Sequence, residues 1–142
     1  MINKLVLGTV QFGLNYGINN KIGKISADEV FKILNHAYNS GINLIDTAEG
    51  YNDSQELIGR FHKESSFKFD IMTKHDSLNT LFSNIIQRIE YNLKVLNVDS
   101  LYSYMFHSYS DFSKYFSTYE NELLLLKENG KIKKIGVSLY TN

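Results

Sequence analysis

Short apolar runs alternate along this chain with stretches in which apolar residues recur every three or four positions. The first run, residues 4–10, reads Lys-Leu-Val-Leu-Gly-Thr-Val and predicts a buried strand, being short and partly β-branched. A loop rich in Gly and Asn follows from Gln11 to Gly23. Ser26-Ala27-Asp28-Glu29 then sets a hydroxyl and a carboxylate three residues apart, the pairing that opens a helix. Val30, Ile33, Leu34, Ala37 and Tyr38 keep helical spacing, and Gly41 stands where a helix end takes a left-handed residue. Ile42, Leu44 and Ile45 form a second strand, ending on Asp46. Asp53 to Glu56 starts a short helix that carries Leu57, Ile58 and Phe61.

Residues 69–74 predict a third strand, finishing on Lys74. Ser77 is the expected cap of a long helix with Leu78, Leu81, Phe82, Ile85, Ile86, Ile89, Leu93 and Leu96 in one stripe. Residues 101–107 form a fourth strand that ends on His107. A helix over about 111–128 stops at Gly130, and Ile132 to Leu139 is a fifth strand. Strand and helix thus alternate at about 30 residues per unit, as strand–helix–strand crossovers require. Alternation of this kind means a parallel sheet covered by helices, an α/β fold whose active groups gather at the C-terminal ends of the strands.

Composition narrows the class. The 142 residues suffice for one domain with its own core, and 43% of them are hydrophobic. Lys plus Arg and Asp plus Glu number 15 each, so nucleic acid and anionic membrane, which favour a basic excess, are not expected partners. With no cysteine there is no disulfide framework and no thiolate chemistry. No signal-peptide pattern opens the chain and no apolar run reaches membrane-spanning length, so a cytoplasmic location is expected. No P-loop, Gly-x-Gly-x-x-Gly or His-Glu-x-x-His is found, and no metal site is expected.

Three successive strands end on an acid, a base and an imidazole: Asp46, Lys74 and His107. Tyr51 follows the first of them by five residues in a Gly-containing loop. A tyrosine with its ordinary pKa of about 10 is a poor acid near neutrality, and a cation beside it makes proton donation easier. Lys74 is the expected cation, Asp46 its partner, and His107 the group that orients a substrate oxygen. Protonating an oxygen while polarising it suits carbonyl reduction, and the hydride must then come from a nicotinamide or flavin. Read singly, a strand-end Asp is a helix cap or turn residue and a lone Lys or His is merely exposed. His36, His62 and His75 are read as surface or loop residues, and the Tyr-rich segment 102–119 as packing.

These residues resemble the aldo-keto reductase family. Leu7-Gly8-Thr9-Val10-Gln11-Phe12-Gly13 is similar to its opening strand. Gly41-Ile42-Asn43-Leu44-Ile45-Asp46-Thr47-Ala48-Glu49-Gly50-Tyr51 is similar to its catalytic signature, and Lys74, His107 and Gly130 to Ser138 match later landmarks in order. The resemblance implies a (β/α)8 TIM barrel, of which residues 1–142 would be the N-terminal part of a single domain, with five strands and four helices where the barrel has eight of each. It also implies NADPH-dependent reduction of an aldehyde or ketone, sugar-type carbonyls among them, with NADH not excluded. Asp46, Tyr51, Lys74 and His107 would be catalytic, and Gly8, Thr9, Asp46 and Ser138 would meet the cofactor. Asn52 and Gln55 stand where the family usually has Gly and Glu, and Leu139 where many members have Asn. The competing readings are a non-catalytic binding or regulatory module on the same fold, and a half-barrel that completes itself by association. The chain alone is expected to be inactive.

Overall fold

A computed structural model describes residues 4–78, 82 and 84–139. Its strands are β1 (Leu7–Gly8), β2 (Leu44–Asp46), β3 (Asp70–His75), β4 (Leu101–Phe106) and β5 (Ile132–Val137). They form one sheet in the order β1-β2-β3-β4-β5, and every neighbouring pair is parallel. The crossovers run through helices α2 (Ala27–Asn39), α3 (Ser54–Glu64), α4 (Ile85–Leu96) and α5 (Tyr109–Glu128). A fifth, short helix, α1 (Val10–Gly13), takes the start of the segment expected to be loop, and it shortens the first strand to two residues.

Local signals set most of the boundaries. The Ser26 hydroxyl accepts the Glu29 amide at 3.3 Å and opens α2, while the Glu29 carboxylate turns to Lys32. Gly41 and Gly130, at φ +81° and +70°, close α2 and α5 as the sequence predicts. The long fourth helix departs from expectation. It starts at Ile85, not after Ser77, because the Asn84 side chain accepts the Gln87 amide at 2.9 Å and supplies the cap. Upstream, the Asp76 carboxylate takes the Leu78 amide at 2.9 Å, which folds a turn in place of a helical start. Leu78 is exposed, Phe82 lies before the helix against Tyr91, and Leu81 lies outside the described residues.

One hydrophobic core lies between the sheet and the helices. Ile45, Ile71, Tyr104 and Phe106 meet Val30 and Leu34 of α2, Ile58 and Phe61 of α3, Ile85 and Ile89 of α4, and Leu123 of α5. The expectation that the aromatic segment 102–119 serves packing agrees with Phe106 against Phe112 and Phe116. Two of the three histidines assigned to surface or loop are instead buried. His62 bonds the Leu96 carbonyl through Nδ1 at 2.7 Å and accepts the Phe69 amide through Nε2 at 3.1 Å, so its ring tethers α3 to α4 and the entry of β3. His75 sits inside the fold among Phe106, Tyr115 and Tyr119. His36 is exposed as expected. Among the described residues no helix is long and apolar enough to cross a membrane.

Candidate functional site

Parallel pairing puts all five strand ends at one rim. Gly8 stands level with Asp46, Asp46 with Met72, Lys74 with Met105, and Phe106 with Val137. Side chains alternate across a strand. Thr73, His75, Tyr104 and Phe106 turn toward the helices, and Asp46, Met72, Lys74 and Met105 take the other face. The sequence-predicted acid, base and imidazole therefore share one end of the sheet.

Lys74 is the centre of the cluster. Its side chain is only 4% exposed, and its ammonium donates to Asp46 Oδ1 at 2.5 Å and to the Thr47 carbonyl at 3.0 Å. A buried ammonium is costly unless paired, and the Asp46 carboxylate, about one-third exposed, supplies the pair. The same ammonium lies 5.3 Å from the centre of the Tyr51 ring. Tyr51 also meets His107 edge-to-face, with ring centres 6.0 Å apart. Burial, and next the Lys74 charge, push the His107 imidazole below its ordinary 6.5, which keeps the ring neutral at physiological pH. Beside His107 opens a cleft of about 330 Å³ lined by Gly50, Asp76, Ser108 and Asp111.

The loop that carries Tyr51 is held to the end of β3 by its backbone. Thr47 donates to the Met72 carbonyl at 2.9 Å and Glu49 to the Lys74 carbonyl at 3.2 Å. Asn52, next to Tyr51, takes φ +46° and donates its side-chain amide to the Gly13 carbonyl at 3.2 Å. A left-handed residue is needed there, and Asn tolerates it better than most.

Of the four residues expected at a cofactor, Gly8, Asp46 and Ser138 reach the rim, where Ser138 is half-buried and Gly8 exposed. A Cβ on Gly8 would meet no atom within 4 Å. Thr9 follows Gly8 at the end of β1 and is fully buried. Its hydroxyl donates to the Asp46 carbonyl and accepts from Ser54, both at 3.0 Å, so it braces β1 against β2 and α3.

Sequence reading missed a second polar group. Glu49, with 5% of its side chain exposed, accepts from Arg88, Asn92, Tyr104 and the Asp76 amide. Gln55 extends this network, donating to Asn92 at 2.7 Å and to Thr73 at 2.8 Å. A signal was present: Arg88 and Asn92 fall four apart on the apolar stripe of α4, where a polar side chain needs a buried partner. Among the described residues no group of three or more His, Cys, Asp or Glu is placed to hold a metal ion.

A parallel strand–helix sheet with its ionisable groups at the C-terminal rim is the design of barrel and doubly wound α/β proteins. The family model of the aldo/keto reductase family matches residues 4–141, and the chain belongs to that family. A solved aldo-keto reductase of Pseudomonas aeruginosa is 29% identical and superposes with a TM-score of 0.75, covering 96% of this chain and 56% of its own. Glycerol dehydrogenase from Gluconobacter oxydans is 28% identical with a TM-score of 0.70, covering 96% and 44%. An aldo/keto reductase of Klebsiella pneumoniae, solved with NADP and acetate, is 22% identical with a TM-score of 0.70 over 93% and 44%, a likeness of fold alone. No match is found among curated proteins. The chain spans about half the length of the solved relatives it matches. Its five parallel strands correspond to part of their (β/α)8 barrel.

Proposed function

We propose that the protein carrying this chain is an oxidoreductase that reduces an aldehyde or ketone to an alcohol, with Tyr51 as the proton donor. The observation that carries the reading is Lys74: an ammonium almost wholly buried, fixed by Asp46 and set 5.3 Å from the Tyr51 ring centre. A cation there favours the phenolate, so Tyr51 gives up its proton more readily as negative charge grows on the substrate oxygen. His107, kept neutral, retains one N–H with which to hydrogen-bond that oxygen and orient the carbonyl. Asp46 holds Lys74 in register and offsets the burial of its charge.

The residues at the rim suit a nicotinamide cofactor. Gly8 leaves open space at the end of β1, and Ser138 and the exposed part of Asp46 supply polar groups beside it. The cofactor, when bound, supplies the hydride for the carbonyl carbon, while the proton for the oxygen comes from Tyr51. NADPH is the form proposed. Residues 1–142 would then be the first part of a single barrel domain, whose further strands pair with the outer edges of β1 and β5.

Expression of the complete reading frame, followed by NADPH consumption with a panel of aldehydes, ketones and sugars, tests this. Carbonyl-dependent consumption is expected, faster with NADPH than with NADH. A well-folded protein that binds NADPH and turns over none of the panel would favour the binding-module reading.

A further inference from the structure

We infer that Glu49 is a positioning residue for Tyr51, a buried carboxylate that pins the Tyr51 loop between the sheet and α4 and so sets the distance from Lys74 to the tyrosine. The inference rests on the reading of Tyr51 as proton donor.

Glu49 precedes Tyr51 by two residues and points the opposite way, into the layer between sheet and helices. Its carboxylate accepts from groups on three elements. Arg88 at 3.1 Å and Asn92 at 2.8 Å come from α4, the Tyr104 hydroxyl at 2.9 Å from β4, and the Asp76 amide at 3.1 Å from the end of β3. Arg88 also donates to the Asp76 carbonyl at 2.7 Å, which ties the exit of β3 to the same cation. The backbone of Glu49 is bonded to Lys74 itself, amide to carbonyl at 3.2 Å. One residue thus links the segment bearing the cation to the segment bearing the tyrosine.

The loop needs such an anchor. It contains Gly50, a residue whose backbone resists motion poorly. The Tyr51 amide donates to the Ala48 carbonyl at 3.1 Å; beyond it, the Asn52 side chain donates to the Gly13 carbonyl, the Ser54 amide donates to the Tyr51 carbonyl at 3.0 Å, and Gln55 is buried. These bonds hold the far side of the loop, and Glu49 is the side-chain anchor on the Lys74 side. A buried pair such as Glu49–Arg88 is weak evidence for stability, because apolar replacements often serve as well. Geometry at the reacting group is a different matter: a displacement of about 1 Å costs about 10²-fold in rate.

The test compares variants of the protein expressed from its complete reading frame. Glu49→Gln keeps the shape of the side chain and removes its charge. Tyr104→Phe removes a single donor and keeps the ring. Phe61→Leu, in the core of α3 and away from the rim, is the control for lost stability. Glu49→Gln is expected to lower the single-turnover rate at least tenfold, to leave NADPH affinity within about twofold, and to move the pH limb that reports Tyr51. Tyr104→Phe should change the rate and the limb in the same direction by about threefold to tenfold, as loss of one hydrogen bond allows. Phe61→Leu should lose stability with its rate and pH profile unchanged. Rates and pH limbs in Glu49→Gln and Tyr104→Phe that match wild type, or fall no further than in Phe61→Leu, would overturn the inference. Should Glu49→Gln fail to fold, Tyr104→Phe decides alone. Tyr51→Phe run alongside separates the two levels. If it is inactive while Glu49→Gln is wild-type, only the positioning role is lost, and if it retains full rate both fall together.

Discussion

Gly13→Ala puts the rim geometry under direct strain. Gly13 ends α1 and is buried directly beneath the Tyr51 loop. A Cβ built on it would lie 2.7 Å from the Tyr51 carbonyl carbon, nearer still to the carbonyl oxygen, and 3.2 Å from the Ser54 amide nitrogen. Carbon atoms pack best at about 3.5–4.0 Å and the carbonyl oxygen is the nearer obstacle, so relief requires about 1.5 Å of movement. The obstacle is backbone, which cannot swing aside as a side chain can. Overpacking of this kind costs about 1–3 kcal/mol. The catalytic consequence is separable, since a shift of about 1 Å in the Tyr51 segment lowers turnover by about 10²-fold. Gly59→Ala supplies the comparison, because its Cβ would fall 2.9 Å from the Val95 carbonyl carbon, between α3 and α4. Thermal unfolding and steady-state reduction, measured on both variants, give the answer. Both should lose stability, and only Gly13→Ala should lose kcat out of proportion. Equal kcat in the two variants, at matched temperature and full folding, would mean that the position of the Tyr51 segment does not control the chemistry.

Three further outcomes follow from the same geometry. His75 is buried with Nδ1 unbonded, and burial, then the Arg88 charge, hold its pKa near about 4 against an ordinary 6.5. The unfolded chain therefore takes the proton first, so the His75 contribution to stability is fully present above about 6.5 and is lost progressively as the pH falls toward about 4, a loss on the order of a few kcal/mol. His75→Phe should flatten much of this acid limb in thermal melts from pH 7 to 4.5, the residual slope coming from His62 and His107, both lowered chiefly by burial, and opposed by Glu49, which burial raises; an unchanged limb would contradict the assignment. Asp46→Asn leaves the Lys74 ammonium without its charge partner and should cost about 1.5–3 kcal/mol by denaturant titration, with a reduction rate at least tenfold lower; a wild-type midpoint would show that the pair contributes nothing. Asn97, the α4 C-cap at φ +53°, should accept Gly with little change, whereas Asn97→Val should cost about 1–2 kcal/mol, and equal melting of the two would contradict the strain.

The order of the elements and the meeting of Asp46, Tyr51, Lys74 and His107 at one rim were legible because both follow from periodicity. In a parallel sheet, residues at the C-terminal ends of successive strands share an end whatever their chemistry. Periodicity could not locate the start of α4, since the apolar stripe continues upstream through Leu78 and Phe82 and hides the break. The cap had to be read from Asn84 and Gln87, three apart, and Asp76-Ser77 carried a competing turn signal. The burial of His62 and His75 was likewise hidden, because a polar side chain enters the fold only when particular partners or surroundings accept it. For His62 these are the Leu96 carbonyl and the Phe69 amide, 34 and 7 residues away. Glu49 was overlooked for the same reason, its acceptors and donors being spread over β3, β4 and α4.

Carbonyl reduction at this rim turns most on Tyr51 as the donor of the proton to the carbonyl oxygen. Its most direct test is the single-turnover rate of carbonyl reduction by Tyr51→Phe in the protein from the complete reading frame, with NADPH affinity measured on the same preparation. Removal of one hydroxyl leaves the ring contacts with Lys74 and His107 in place. A rate lower by about 10²- to 10⁴-fold is expected, with NADPH affinity unchanged. A Tyr51→Phe protein that reduces the same carbonyl at the wild-type rate would contradict that role of Tyr51.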